Sequence, residues 1–461
     1  MGKQSPNQQD GLIEKLRLDK QELKTQLNDL DARLNREFPD YAELTMPKPI
    51  TVEQVQQLLK PGEALVAYAL SKIGSFAWLV TPESVNFRKI YRDRDTFNLR
   101  IQRVLTALNP NDNPNLAKPF PLYDAGFLYL ELIGLDAKRL EKVKTLLVVA
   151  DGPLESLPFS VLLDISMIGS KDDYQKLPWL ARKWATVTLP TVSSLRALRT
   201  LTKGTRANQP FVGFGDPNFS GTSSSTRGVG GVRLIKEISS QTGGELADPN
   251  QLRQVLAPLP ETAGELRAIA DTFGASHDNV FLQDKATVPT VTALDLSQYR
   301  VVDFATHALV AGEVEEYKLG KVEPAIALTP PQIATLENDG LLRASQVAQL
   351  KLNADWVVLS ACNTAASDGT PGVVGLSGLA KAFFYAGARA MLVSHWPVLS
   401  KPAIELTTSM FKTWQQQPEL GRAEALRRTQ MAMVDNPVQP YFAHPASWAA
   451  FVVAGEGGIG R

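Results

Sequence analysis

The hydrophobic positions change period along the chain, and the changes mark out its parts. Ile13, Leu16, Leu23, Leu27, Leu30 and Leu34 fall three and four apart, with Lys20 taking the one polar place in the series. That is the seam of an amphipathic, heptad-patterned helix with charged outer faces. Three heptads are marginal alone, so the helix either packs on its own body or docks on a partner. Phe38-Pro39 and then Met46-Pro47-Lys48-Pro49 end it, because proline has no N–H to give the helix and clashes with the preceding turn. Residues 1–48 are set apart as this N-terminal element.

Beyond it the period alternates between helix and strand. Thr51 can cap a short helix over 51–59, with Gln54 three residues on. Pro61-Gly62 turns the chain into three strands at 64–70, 76–80 and 85–90. Helices over 94–108 and 126–132 flank the Pro/Asn-rich loop 109–121. A strand at 145–150, another at 186–189 and a helix at 192–200 complete a first lobe, residues 49–209.

A second lobe, residues 210–461, opens with the strand Phe211-Val212-Gly213-Phe214-Gly215. Helices at 260–273, through 297, and at 344–349, 374–385, 402–415 and 421–434 alternate with strands at 280–282, 301–307, 357–360 and 388–394, and an apolar tail at 448–453 closes the series. The stretch 308–339 reads as a long connection. This alternation predicts an α/β fold with a mostly parallel sheet covered on both faces. Gly213-x-Gly215 lacks the third glycine and the immediate helix of a dinucleotide fingerprint, and is discounted as one.

Composition narrows the function. At 461 residues, 44% apolar and 21% charged, the chain has the make-up of a globular protein with a sizeable core. Lys+Arg 48 against Asp+Glu 48 gives no net pull towards nucleic acid or an anionic membrane, and neither partner is evident. No apolar run approaches the roughly 20 residues of a transmembrane helix, and the polar N-terminus carries no secretory core. One cysteine excludes an internal disulfide and points to a reducing, cytoplasmic setting. One cysteine and four scattered histidines make no zinc-spaced cluster, and there is no Walker-type phosphate loop, so no metal or cofactor is expected.

The chemistry concentrates at two strand ends. Val357-Val358-Leu359-Ser360-Ala361-Cys362 places the lone thiol at the end of a buried strand, where an open α/β sheet puts its reactive groups. Val301-Val302-Asp303-Phe304-Ala305-Thr306-His307 ends the same way in a histidine, 362 − 307 = 55 residues earlier. A lone buried Cys or His is more often a packing residue than a catalyst. The pair is different, because a His about 50 residues upstream of a Cys is the order and spacing of caspase-like cysteine proteases. Asp303 shares the strand face of His307 by alternation. Four residues at about 3.3 Å each hold it too far away to orient the ring, which leaves that task to a backbone carbonyl. His277 and His444 read as surface loop residues.

Five runs carry a more specific likeness: 146–159 (LLVVADGPLESLPF), 301–307 (VVDFATH), 354–364 (ADWVVLSACNT), 375–397 (GLSGLAKAFFYAGARAMLVSHWP) and 448–455. With these the chain resembles the CHAT family, caspase-like domains usually found after tetratricopeptide repeats and related in fold to caspases and separase. The likeness extends over about residues 44–457 and is strongest in the second lobe. It implies a caspase-like sandwich of two lobes, the first inactive and the second catalytic, in which Cys362 matches the nucleophile and His307 the base. The oxyanion donors it implies are the backbone N–H groups of Cys362 and Ala308. The family pattern has Gly after this histidine, so Ala308 is expected to be strained if the position needs a positive φ. His395 is the competing histidine, and Ser394, His395 and Trp396 are expected to wall the substrate groove. Asp368, the first acid after Cys362, is the candidate partner for a basic P1 side chain; the alternative is a solvated loop residue. No repeat of 34 residues is visible.

Two functions remain open. One is a cysteine endopeptidase that cuts a protein partner and is gated by a regulatory protein or a tetratricopeptide-repeat region. The other is a catalytically silent scaffold of the same fold. Retention of both dyad residues favours the enzyme.

Overall fold

The computed structural model describes residues 15–18, 20–26, 29, 49–110, 112–113, 116, 118–164, 166, 173–200, 206–220, 246–309, 324–360, 378–396, 400–436 and 438–458. The chain divides into two compact units, 1–49 and 50–461. In the first, 15–18, 20–26 and 29 are helical, as the heptad pattern predicts, with Leu16 and Leu23 of the seam exposed. The remaining seam residues lie outside the described residues.

The second unit is built on one sheet of eleven strands. Its first flank is β1 (Glu63–Ser71), β2 (Gly74–Val80), β3 (Val85–Ile90), β4 (Thr145–Val149) and β5 (Ala185–Thr188). Its second is β6 (Val212–Gly215), β7 (Val280–Leu282), β8 (Val301–Ala305), β12 (Trp356–Leu359), β13 (Ala390–Ser394) and β14 (Phe451–Gly455). A separate small sheet is made of β9 (Ala308–Leu309), β10 (Ala325–Ala327) and β11 (Leu341–Arg343). The main sheet runs β3-β2-β1-β4-β5-β14-β13-β12-β8-β6-β7. Neighbours are parallel from β1 through β4 and β5 to β14, and again from β13 to β7. The β13–β14 pair is antiparallel, as are β1–β2 and β2–β3. The strands of 49–209 and of 210–461 thus lie on opposite flanks of one mixed sheet, joined where β5 pairs with the last strand of the chain.

Local chemistry places the helices. In α1 (Val52–Leu58), Thr51 and Gln54 form the expected capping box, Thr51 N–H donating to Gln54 Oε1 at 2.9 Å and Gln54 N–H to Thr51 Oγ1 at 3.3 Å. In α2 (Arg94–Leu108), Asp93 accepts from Thr96 N–H at 2.8 Å. Helix α3 (Ser194–Thr200) ends the first flank. In the second flank, α4 (Pro249–Val255) is followed by α5 (Glu261–Phe273). Helix α5 lies so close to β6 that a Cβ on Gly213 would stand 2.8 Å from a Leu266 methyl, and one on Gly215 2.7 Å from the other. That close approach gives Gly213-x-Gly215 its purpose, which is packing rather than phosphate binding. Helix α6 (Gly378–Ala386) packs into the cluster of Val302, Phe304, Val357 and Leu359. Helix α7 (Ser400–Gln416) packs beside α5, and α8 (Arg422–Val434) packs beside α7. The strands between are buried on both faces, as parallel strands under two helical layers must be.

The small sheet is the main departure from expectation. Strands of two and three residues are too short to show a period, so 308–339 reads as connection. No helix among the described residues is long and apolar enough to cross a membrane.

Candidate active site at the carboxyl ends of the central strands

The ladders bring three strand ends into line. Phe304, Leu359 and Val393 are level across β8, β12 and β13. Ser360 N–H then donates to Phe304 O at 3.2 Å, the last rung between β12 and β8 among the described residues. His307 leaves this edge from β8, Ser360 leads towards Cys362 from β12, and Ser394-His395 leaves from β13. Cys362 and Asp368 lie outside the described residues.

His307 is held through its ring and through its backbone. Its ring Nε2 lies 2.8 Å from the Ala257 carbonyl oxygen. A carbonyl only accepts, so Nε2 carries the hydrogen and Nδ1 is the basic nitrogen of the neutral ring. Ala257 comes just after α4, in a buried connection that no sequence signal marks as functional. The Phe219 ring stands 5.6 Å away, centroid to centroid. The backbone is fixed as well. Thr306 Oγ1 donates to Ala327 O at 2.7 Å, and Ala327 N–H donates to His307 O at 2.9 Å. The small sheet is therefore the clamp of the histidine. Asp303 is fully buried on β8, level with Gly213 and hence on the α5 face. A carbonyl, not this acid, orients the ring.

Ala308 pairs with Ile326. The rung at His307–Ala327 makes the next pair a non-hydrogen-bonded one, so the Ala308 N–H points away from β10 and is not used by the ladder. The residue is extended, and the non-glycine residues with positive φ among the described residues are Leu116, Asp216 and Gln283. The strain anticipated at Ala308 is absent.

Ser394, His395 and Trp396 are all buried. His395 N–H donates to Ala450 O at 3.0 Å, its Nδ1 has no partner among the described residues, and its ring lies 6.3 Å from that of Trp396. Burial lowers the His395 imidazole from 6.5 to about 3.

The sequence matches the family model described as "CHAT domain" over residues 124–456. The chain belongs to the CHAT domain family. Human tetratricopeptide repeat protein 28 is 25% identical to this CHAT domain over 343 residues, a stretch that is 68% of this chain and 12% of the human protein. Among solved structures, the Saccharomyces cerevisiae separase–securin complex is similar at 8% identity and TM-score 0.45, over 91% of this chain and 30% of that one. The Arg-specific cysteine proteinase gingipain R is similar at 11% identity and TM-score 0.37, over 79% and 74%. Both scores fall below 0.5, so neither fixes a residue correspondence.

The remaining histidines of the CHAT domain divide. His277 is exposed, as expected, with Nε2 2.8 Å from Asp271 Oδ1. His444 is not the surface residue the sequence suggests. It is buried, caps α9 (Pro445–Trp448) by accepting Ala446 N–H at Nδ1 over 3.2 Å, and meets the Tyr174 ring edge-on at 5.2 Å. Prolines 440 and 445 look like loop punctuation but open short helical turns that carry the ring inward. Burial lowers His444 from 6.5 to about 4. Between those values the unfolded chain binds a proton that the folded chain refuses, so stability is full above about pH 6.5 and is lost as pH falls. Replacing His444 with Asn keeps an acceptor for the cap. It should reduce the slope of unfolding free energy between pH 4.5 and 6 by about 1.4 kcal/mol per pH unit. Urea titrations across that range check it, and an unchanged slope would mean that the ring titrates freely in the fold.

Proposed function

We propose that this CHAT domain is a cysteine endopeptidase that cleaves a protein partner through a dyad of Cys362 and His307. The observation that carries the proposal is the contact of His307 Nε2 with the Ala257 carbonyl oxygen, which assigns the tautomer. A ring whose Nε2–H is tied to Ala257 offers Nδ1 as its base, at the end of the strand next to the one that leads to Cys362. His395 suits the role poorly, since an imidazole lowered to about 3 takes up almost no proton near neutrality.

In this reading Nδ1 of His307 takes the Cys362 thiol proton, and the thiolate attacks the scissile carbonyl carbon. The oxyanion is received by the backbone N–H groups of Ala308 and Cys362. His307 returns the proton to the leaving amine, and water then hydrolyses the thioester. The order and spacing of the two residues is that of caspase-like enzymes, and the two-lobed caspase-like description with an inactive first lobe belongs to the same proposal. Asp368 is the proposed partner of a basic P1 side chain, and Ser394, His395 and Trp396 are the proposed wall of the substrate groove. A regulatory protein or repeat region as gate, and a cytoplasmic setting, are part of the same reading.

The test is alkylation of the native chain with iodoacetamide across pH, alongside cleavage of a peptide library, each with and without extract from the source cells. The expected result is a Cys362 that reacts well below pH 8, with cleavage after basic residues that weakens in Asp368→Asn. A thiol that reacts only once the protein unfolds, under both conditions, would replace the peptidase with the scaffold.

A further inference from the structure

Glu265 is a charged residue with no exposed surface, on the face of α5 that meets the central strands. Leu266 and Ile269 beside it are the apolar residues expected at such a contact. A carboxylate here costs several kcal/mol to desolvate unless its oxygens are satisfied. One of them, Oε1, is met by hydroxyls from two other elements. Thr407 of α7 donates through Oγ1 to Glu265 Oε1 at 2.8 Å, and Ser360 donates through Oγ to the same oxygen at 3.4 Å. Ser360 is the residue whose N–H makes the last β12–β8 rung among the described residues, and it stands two positions before Cys362 in the chain.

We infer that Glu265 is a positioning residue, which ties the end of β12 to α5 and α7 and so fixes the point from which the nucleophile segment leaves the sheet. The tie stands on its own contacts; its catalytic consequence rests on the peptidase reading. Acyl transfer tolerates little displacement of nucleophile or oxyanion donor, and a shift of about 1 Å from a remote change can cost on the order of 10²-fold in rate. A carboxylate suits the task better than an apolar side chain because it can hold a hydroxyl from the strand and one from the helix at once, and charge assistance strengthens both bonds.

The experiment compares Glu265→Gln, Glu265→Leu and Ser360→Ala in the full chain. Rates are expressed per titrated thiol, and amide hydrogen exchange is followed in residues 356–360. Glu265→Leu and Ser360→Ala should each lower kcat on the order of 10²-fold with KM little changed, and the pair together should lose no more than one alone. Glu265→Gln keeps one acceptor oxygen and should fall between parent and Glu265→Leu. The Ser360 amide should exchange faster in all three. A lower melting temperature with unchanged kcat per thiol and unchanged exchange would overturn the inference, leaving Glu265 a packing residue. A parent chain with neither cleavage nor a reactive thiol would overturn the peptidase reading, while the exchange data still decide the tie. If Glu265→Leu does not fold, the other two variants carry the same comparison.

Discussion

Cys362→Ala is expected to abolish cleavage, and His307→Gln to slow it by about 10²–10⁴-fold, the range lost with a general base. Glutamine is chosen over alanine because it can still offer an N–H to the Ala257 carbonyl. Removing the ring outright would strand that buried acceptor at a cost of about 1–3 kcal/mol and confuse a folding defect with a chemical one. Combining the two changes should lose no more than Cys362→Ala alone, since the residues act as one unit. Alkylation separates the roles further. With His307 intact the thiol should react well below its free pKa of about 8.5, and in His307→Gln its reactivity should move up towards that value. His395→Asn supplies the control. If it removes thiolate reactivity while His307→Gln does not, the base has been assigned to the wrong strand.

What the sequence could reveal followed from periodicity and punctuation. The strand at 85–90 and the helix at 94–108 emerge with the expected bounds because alternation or helical spacing runs unbroken between turn residues, and the strand at 280–282 because its apolar Val-Phe-Leu stands between polar turns. The Thr51–Gln54 cap is a pattern of two residues whose geometry is local, so it too was legible. The site was legible only as far as its strand ends. His307 declares itself by ending an apolar strand, but the carbonyl that sets its tautomer belongs to Ala257, fifty positions away and chemically anonymous. The clamp on its backbone comes from β10, too short to have a period. Nothing in the predicted helix 260–273 sets Glu265 apart from an ordinary acid; only the fold shows that it faces inward to Ser360 and Thr407. His444 misled for a related reason, since Pro-flanked residues suggest a surface loop and the inward turn depends on tertiary packing against Tyr174.

The union of the two flanks was equally hidden. The last strand pairs with β5, and next to this junction lies a buried charge network contributed by three distant segments. Arg199 of α3 meets Glu63 with both terminal nitrogens at 2.8 Å and Glu456 through Nε at 2.9 Å, and also donates to Leu58 O. Lys60 adds a contact of 3.1 Å to Glu456. Burial alone would raise the Glu456 carboxyl; Arg199 and Lys60 outweigh it and hold the group below its ordinary value. Arg199→Ala would leave two buried carboxylates facing one another without their common cation, and should cost about 3–5 kcal/mol at pH 7.5. Arg199→Lys should recover only part, because an ammonium cannot span Glu63 with two parallel bonds while holding Glu456. The pH dependence gives the sharper reading. In the parent, the depressed Glu456 contributes stability that is present above the unfolded value near 4.5 and is lost as pH falls. In Arg199→Ala the stranded Glu456 should bind a proton more readily folded than unfolded, so its contribution reverses sign and the gap between variant and parent narrows as pH falls from 7.5 to 5.5. Paired urea melts at those two pH values decide it. A variant within about 1 kcal/mol of the parent at both, the range of a solvent-screened surface pair, would mean that the network does not hold the flanks together.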